Sequence, residues 1–540
     1  MERYILLIVM AMLLLMPAIT NAELTANILF DDAVAAYQKK DYATASTLFR
    51  KLAEQGHIVA QHNIGVMHDK GQGVAQDIAL AAQWYRKSAE QGYVLAQLAY
   101  AKACYYGKGV TKNLPDAARW FATAAEQGNA DAQNFLGAMY EYGEAVTRDE
   151  VQAVKWYQKS AEQGNTFAQA NMGNAYMNGR GVYINEAEAV KWYTAAAERG
   201  NAWAQYSLGR ALFYGTGVPQ NTTAATGWLY MAAEQGVPDA QYLLGDMHDQ
   251  GDGVAKNEAE ALKWYTKAAE RGIAAAQQKL GEAYELGKGV TKNEAEAVRW
   301  YRRASEQGHG RAAFLLGNCL DTGIGTPQNI AEAVEWYKRS IGGGERSALL
   351  RLGYIYATGI GGVQIDAIEA VKYYTLAAES GEIDAMFNLG IIYQHGQGVT
   401  RDTASAIKWF HLAALRGDIA AQNNLGSLYW MEKKFERAGK WILLAKRGGD
   451  EKAKNNYANL VASLPAGFDA QAQRLADAFR KLQKDMPAKE RKEWLAKYRS
   501  AFKNAKTVSD FTSFIIAYED DDPDKLVPQA EKTISRGEKF

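Results

Sequence analysis

The chain contains 540 residues, of which 48% are hydrophobic, and its 61 Lys and Arg residues balance its 61 Asp and Glu residues. A formal net charge of zero provides no basic surface for nucleic acid or for an anionic membrane, so a protein or peptide is the expected partner. A chain of this length ordinarily forms about three or four domains, but its regular repeats predict one array followed by a tail.

Residues 1–22 are predicted to form a signal peptide. An apolar run from Ile5 to Met16 follows Arg3, and Thr20–Ala22 supplies small and polar residues before a cleavage point. The run is short for a bilayer span, which leaves an uncleaved anchor as the alternative. Because no later segment is apolar enough to span a bilayer, we expect a periplasmic or secreted protein with no stable membrane insertion after cleavage.

A glycine recurs every 36 residues through most of the chain. These glycines are Gly56, Gly92, Gly128, Gly164, Gly200, Gly236, Gly272, Gly308 and Gly344. All but the last close a near-copy of Ala-Glu-Gln-Gly. A strict period of this size is typical of solenoids, in which each unit buries its apolar face against its neighbours. The pattern therefore favours a binding protein over an enzyme.

Residues 276–308 represent the unit. Apolar residues at spacings of three and four, beginning with Ala276 and Leu280, predict a first helix. The loop Gly287–Val290 has glycines where the chain leaves that helix and needs a positive φ. Asn293 is followed by Glu296 in a capping-box pattern, which predicts the start of a second helix.

Two residues recur inside these helices and are predicted to belong to the core. Gly281 is a poor helix former in mid-helix, so its recurrence predicts that the second helix packs against it. Trp300 could stack on a ligand, but an equivalent ring in nearly every unit favours a core residue.

The complete unit reads Ala-x-x-x-Leu-Gly-x-x-Tyr-x-x-Gly-x-Gly-Val, then Asn or Asp, then Ala-x-x-Trp-Tyr-x-x-Ala-Ala-Glu-Gln-Gly. This pattern resembles the Sel1-like repeat, a longer-looped relative of the tetratricopeptide repeat. The resemblance implies an all-α fold, a right-handed α/α superhelical solenoid of about twelve helix-turn-helix repeats with a C-terminal helical cap. It also implies that first helices line the concave side, that the protein is an adaptor or scaffold, and that exported bacterial members serve in host interaction or envelope assembly.

The unit pattern predicts four segments. They are a signal peptide (1–22), a TPR-like N-terminal cap (23–56), a Sel1-like repeat array (57–460) and a C-terminal helical tail (461–540). Ala36–Ala43 and Met431–Ala438 turn between helices without the glycine loop. Between residues 340 and 365 the closing motif decays and the next loop gains a residue, which predicts a softer joint. In the tail, Phe468–Lys484 and Lys489–Lys503 are amphipathic and are expected to cover the last repeat.

No residue is predicted to be catalytic or to bind a cofactor or metal. His57, His62 and His68 do not share one helical face, and Cys104 and Cys319 lie too many repeats apart for a disulfide. An enzyme of β-lactam or peptidoglycan chemistry remains an alternative. It lacks support because the chain has none of the cysteine pairs that accompany β-lactam binding in this family.

Positions in each first helix are counted from its leading alanine as zero. The residues at positions two, six and nine lie opposite the packed face, so they are predicted to face the concave groove. Apolar side chains at these variable positions form two candidate protein-binding groups. The groups are Tyr206, Phe213 and Tyr242, and Phe314, Leu350, Tyr354, Phe387 and Ile391. The alternative is that these side chains contact neighbouring helices inside a tightly wound superhelix.

The sequence therefore predicts a non-catalytic, exported scaffold that binds partner proteins or peptides on its concave face. Two sharper hypotheses are a virulence factor that binds host immune proteins and an immunity protein that neutralises a periplasmic toxin.

Overall fold

The computed structural model describes residues 21–464 and 466–485, which form 26 α-helices and one 3₁₀ helix and contain no strand. The first fourteen helices are α1 (Asn21–Gln38), α2 (Tyr42–Glu54), α3 (Ile58–Lys70), α4 (Ile78–Glu90), α5 (Val94–Tyr106), α6 (Leu114–Glu126), α7 (Ala130–Tyr142), α8 (Glu150–Glu162), α9 (Thr166–Asn178), α10 (Glu186–Glu198), α11 (Ala202–Tyr214), α12 (Thr222–Glu234), α13 (Pro238–Gln250) and α14 (Glu258–Glu270). The others are α15 (Ala274–Leu286), α16 (Glu294–Glu306), α17 (Gly310–Thr322), α18 (Ile330–Gly342), α19 (Leu349–Thr358), the 3₁₀ helix (Ile360–Gly362), α20 (Ala367–Ser380), α21 (Ile383–His395), α22 (Thr403–Leu415), α23 (Ile419–Met431), α24 (Phe435–Arg447), α25 (Glu451–Ala462) and α26 (Phe468–Asp485). The predicted all-α fold class is confirmed.

The chain divides into two compact units between Ala268 and Ala269. Within each unit the first helix of a repeat packs on the second helix of the same repeat, which packs on the next first helix. Phe49, Phe121 and Leu229 are buried in the first unit, and Tyr301 and Phe410 in the second. Across the part of the chain that the structure describes, every helix is too short or too polar to cross a bilayer.

The helix boundaries follow from capping side chains. Asn293 accepts a hydrogen bond from the backbone N–H of Glu296 at 3.1 Å, as the capping-box pattern predicts. The same bond occurs at the Asn or Asp that begins every other long second helix. At the other end of a first helix, Gly287 adopts a left-handed conformation with φ 72°. A residue with a Cβ atom is strained there, so the loop requires glycine.

The mid-helix glycine provides room for the second helix. A Cβ atom at Gly281 would lie 2.5 Å from the ring of Tyr301, and the same clash with a second-helix side chain recurs in both units. The predicted close approach is therefore present. The packed ring is the tyrosine after the tryptophan, because Tyr301 is fully buried whereas Trp300 is 8% exposed.

The tryptophans of the second helices differ between repeats. Trp264 and Trp441 are fully buried, whereas Trp84 and Trp156 are half-buried. Lysine ammonium groups lie 4.4 Å and 4.2 Å from the ring centroids of those two half-buried tryptophans. These rings pack as structural residues, and cations cover their outer faces.

A ladder of glutamines joins successive repeats. Gln133 donates from Nε2 to the carbonyl of Ala125 at 3.1 Å, while its Oε1 accepts from Nε2 of Gln163 at 2.7 Å. The second bond recurs between glutamines 30 residues apart. The donor–acceptor pairs are Gln91–Gln61, Gln127–Gln97, Gln235–Gln205 and Gln307–Gln277. The closing Ala-Glu-Gln-Gly motif thus supplies an exposed glutamine that donates to a buried glutamine of a first helix.

The predicted departures from the repeat appear as changes in the turns. Lys40 and Lys433 take positive φ values of 63° and 60° where the glycine loop is missing. Near the expected joint, α19 has ten residues rather than the thirteen of most first helices, and its N-cap has no side-chain hydrogen bond. The following loop has Gly359, Gly361 and Gly362 at positive φ.

The predicted C-terminal cap begins with α26. A Cβ atom at Gly439 of α24 would lie 2.8 Å from the ring of Phe468 and 3.0 Å from Ala472, so α26 packs closely on α24. The second amphipathic segment of the tail, 489–503, and most of the predicted signal peptide lie outside the described residues.

Candidate functional site

The exposed face of the first helices is partly used for structure. Tyr157, Tyr265 and Tyr301 of the second helices donate hydrogen bonds to Glu141, Asp246 and Glu285 on that face, at 2.7, 2.7 and 2.5 Å. Burial is the main cause that raises the pKa of each tyrosine, and the accepting carboxylate adds to it. The variable sixth and ninth positions therefore supply partners to buried phenols.

The first candidate group lies in the first unit. Tyr206, Phe213 and Tyr242 are half-buried. Tyr206 and Phe213 pack against the cluster that contains Leu229, and the ring of Tyr242 lies 6.0 Å from that of Tyr265. Each of these side chains therefore has one side on the core.

The second candidate group lies in the second unit. Phe314, Leu350, Phe387 and Ile391 are half-buried and pack against its core cluster, whereas Tyr354 is 43% exposed. The rings of Phe314 and Phe387 lie 6.1 and 5.7 Å from second-helix rings. The guanidinium of Arg351 lies 5.2 Å from the Tyr354 ring. The same guanidinium donates two hydrogen bonds to the Asp321 carboxylate, at 2.5 and 2.7 Å.

The structure brings Phe387 and Ile391 together in one open groove of about 520 Å³. The groove crosses α21, α23 and the start of α25, and its lining includes Gln394, Asn423 and Asp450. Phe314, Leu350 and Tyr354 are not part of its lining. The second candidate group is therefore divided between this groove and the repeats before it.

The groove combines an apolar floor with amide side chains. Asn423 is 5% exposed, and its Oδ1 accepts from Asn456 at 2.9 Å. The buried Oε1 of Gln394 accepts no hydrogen bond from a described residue. Asn424 also lines the groove and is half-buried, so its amide can donate to and accept from the main chain of an extended peptide whose side chains contact the apolar floor.

Three strongly exposed rings of the first unit lie on first helices at positions that the sequence analysis did not select. Phe167 and Trp203, each directly before the leading alanine of its helix, are 63% and 53% exposed. Tyr214, at the end of α11, is 61% exposed. At 100° per residue the position before the leading alanine lies about 20° from the sixth position and about 60° from the second, so it belongs to the same exposed face. The variation of these positions among the repeats is the signal that could have identified them.

Side chains that could hold a metal ion do not converge in the described ranges. Residues 21–464 and 466–485 contain no cluster of three His, Cys, Asp or Glu side chains placed to hold a metal ion. Cys104 and Cys319 are both buried and unpaired. Burial raises the pKa of the Cys319 thiol to about 12, so this cysteine stays protonated and is a poor nucleophile.

The fold and this face define a class of protein, the α/α solenoids of the tetratricopeptide type, which present one continuous surface. Within that class the chain belongs to the Sel1 repeat family, as the sequence predicted. The family model matches twelve segments, at residues 36–57, 58–93, 94–129, 130–165, 166–201, 204–237, 238–273, 274–309, 310–344, 346–382, 383–418 and 419–450.

The chain is also similar to solved structures. The crystal structure of c5321, described as a protective antigen present in uropathogenic Escherichia coli strains and displaying an SLR fold, is 32% identical with a TM-score of 0.65. The match covers 80% of this chain and 94% of c5321. A Sel1 repeat protein from Oxalobacter formigenes is 32% identical over 55% of this chain and 86% of its own, with a TM-score of 0.43. The immunity protein Pa5087 from Pseudomonas aeruginosa is 25% identical over 40% of this chain and 81% of its own, with a TM-score of 0.28. No curated protein sequence matches this chain.

Proposed function

We propose that the protein is an exported, non-catalytic scaffold that binds a partner protein through the exposed face of its first helices. The observation that carries the proposal is the groove across α21, α23 and α25, where an apolar floor adjoins amide side chains. Sel1 repeats generally mediate protein–protein interaction, and the family generally consists of non-catalytic scaffolds. These properties support a binding role for the groove.

Periplasmic or secreted localisation is part of the same proposal. The apolar N-terminal run and the following small residues support export. The description of c5321 as a protective antigen supports the host-facing form of the hypothesis, because an antigen that protects must be accessible to the host.

Cross-linking of the purified full chain to envelope extract and, separately, to host secretions tests the proposal. The variants Phe387→Ala and Gln394→Ala alter the groove, and Ile368→Ala removes an apolar side chain of α20 that is 74% exposed and is not part of the groove lining. We expect a partner that the wild type and Ile368→Ala both capture and that both groove variants lose, with circular dichroism showing that all variants fold. Identical partners for all four chains would show that the groove is not the binding site.

A further inference from the structure

We propose that α9 and α11 of the first unit bind a proline-rich segment in the polyproline II conformation, with prolines three residues apart and a basic residue at its end. The surface consists of Phe167, Asn171, Asn174, Trp203, Tyr206 and Tyr214 and is called the neutral aromatic face below. This inference rests on the proposed binding function and names the chemical class of a partner.

The composition of the two helices supports an uncharged, apolar ligand. No residue of α9 is charged, and the only charged residue of α11 is Arg210, whose guanidinium lies 5.9 Å from the ring of Tyr206. Three rings of the face are more than half exposed. Large exposed rings on a surface with few charged residues are typical of protein-binding surfaces, where aromatic residues contribute most of the binding energy.

The orientation of the Trp203 and Tyr206 rings suits a proline. The two rings cross at 81° with their centroids 6.4 Å apart. They form a corner against which a bulky pyrrolidine ring can pack. Asn174 bonds the Tyr193 hydroxyl only through Oδ1, at 2.8 Å, so its Nδ2 can donate to a peptide carbonyl.

The separation expected for the two helix starts is close to one turn of polyproline II. Phe167 and Trp203 occupy the same position in successive repeats, and the two helix starts touch where Asn201 donates to Thr166 Oγ1 at 3.5 Å. Packed helices lie about 8–10 Å apart. Residues three apart in polyproline II are separated by about 9 Å and point to the same side. Two prolines with that spacing would therefore meet the two rings.

An acidic residue continues the same row. Asp131 and Asp239 stand directly before the leading alanines of α7 and α13, one repeat before Phe167 and one repeat after Trp203. Asp131 is engaged by Lys102 at 3.4 Å and by Asn165 at 2.8 Å. The Asp239 carboxylate contributes, after burial, to the raised pKa of Tyr206, which places it beside the face. It is half-buried and makes no ion pair with a described residue, so a basic side chain three residues beyond a proline can pair with it.

A labelled peptide tests the proposal on the full-length chain by fluorescence anisotropy. The probe has the sequence Arg-Ala-Ala-Pro-Ala-Ala-Pro-Ala-Ala-Arg, which offers a basic residue in either chain direction. We expect Phe167→Ala and Trp203→Ala each to weaken binding about tenfold or more, since exposed rings can be removed without loss of fold. Asp239→Asn should weaken binding less and reduce its salt dependence.

Two controls separate specific from general binding. Tyr183→Ala removes a loop ring that is 96% exposed, and it should change affinity less than about twofold. The second control is a peptide with its second proline moved by one residue. Its affinity for the wild type should be as low as the affinity of the original peptide for Trp203→Ala.

Equal affinity for both peptides, or no binding at about 1 mM, would overturn the proline-rich ligand. Displacement of the probe by a soluble oligosaccharide would overturn it in favour of a glycan. Because this experiment does not involve Phe387 or Gln394, failure here leaves the cross-linking result as an independent test of the binding function.

Discussion

At the scale of single residues, His62 makes stability depend on pH. It is half-buried on the first-helix face, with its ring 5.5 Å from Tyr85 and 5.3 Å from Tyr93. Burial lowers the pKa of His62 to about 4 from 6.5. The unfolded chain therefore binds a proton at a pH where the folded chain does not, so stability is complete above about pH 6.5 and decreases as the pH falls towards 4.

Leu98 occupies the equivalent position in the next repeat. We expect His62→Leu to reduce the loss of stability at low pH. In the wild type, His62 should lower the free energy of unfolding by about 1–3 kcal/mol when the pH falls from 7.5 to 4.5. Urea midpoints at the two pH values measure the effect, and His395→Leu, which replaces an exposed histidine, serves as the control. An equal acid-induced shift in wild type and His62→Leu would contradict the prediction.

The glutamine ladder lacks a bond at two acceptors, Gln169 and Gln241, and the first of these rungs can be completed. Arg199 replaces the closing glutamine and donates to the carbonyl of Gly164 at 3.0 Å, while the buried Oε1 of Gln169 has no partner among the described residues. Arg199→Gln should supply that partner and stabilise the fold by about 1 kcal/mol. Denaturant unfolding measures the change.

The reverse substitution is the matched test. Gln163→Arg removes the donor to Gln133 and should destabilise the fold by about 1–3 kcal/mol, because it leaves a buried acceptor unsatisfied. If the two variants change stability in the same direction, the ladder is not the cause.

At the scale of helices, the mid-helix glycine should resist replacement. Gly281→Ala gains helix propensity but places a Cβ atom 2.5 Å from Tyr301, so we expect a net loss of about 1–3 kcal/mol. Gly227 lies inside α12 with no atom within 4 Å of its added Cβ, so Gly227→Ala should stabilise the fold by up to about 1 kcal/mol. Thermal unfolding of the two variants separates the effect of packing from that of helix propensity. A change in stability of the same sign in both variants would contradict the packing explanation.

The segment between residues 340 and 365 should be the first part of the second unit to be cut by protease. α19 is short, and α18 packs less against it than other second helices pack against the next first helix. Sparse packing lowers the free energy of local opening. Limited digestion with mass spectrometry should find early cleavage there, and earlier cuts in the glycine loops of other second-unit repeats would contradict the prediction.

At the scale of the whole molecule, export makes a prediction about the N-terminus. Cleavage after Ala22 should yield a mature chain that begins at Glu23. The intact mass of the protein isolated from periplasm and from culture medium identifies the first residue of the mature chain directly. A chain retained in the membrane fraction with its first residues present would support the uncleaved anchor.

The repeat made most of the fold predictable. Helices, glycine loops and Asn or Asp caps recur with the period, so each copy confirms the interpretation of the others. The period could not distinguish Trp300 from Tyr301 as the packed ring, because adjacent aromatic residues repeat together and only their directions from the helix differ.

The candidate site was less predictable for a geometric reason. The sequence places Phe314 and Phe387 on the exposed side of their helices, but neighbouring helices cover part of each ring. How much of a side chain a neighbouring helix covers depends on the distance between the two helices. The helical period of the sequence does not specify that distance. Phe167 and Trp203, directly before the leading alanine of their helices, lie on the same face and remain exposed.

The glutamine ladder also bears on how such a chain can change in length during evolution. In each complete rung donor and acceptor are 30 residues apart, and the glycine period is 36 residues. Loss of one whole period, such as residues 94–129, removes both glutamines of the Gln127–Gln97 rung and leaves the Gln91–Gln61 and Gln163–Gln133 rungs with both partners. Recombination between the similar repeat-coding segments can therefore lengthen or shorten the array by whole repeats without breaking its buried hydrogen bonds. The number of repeats, and with it the length of the binding surface, can vary among descendants that keep the same joints.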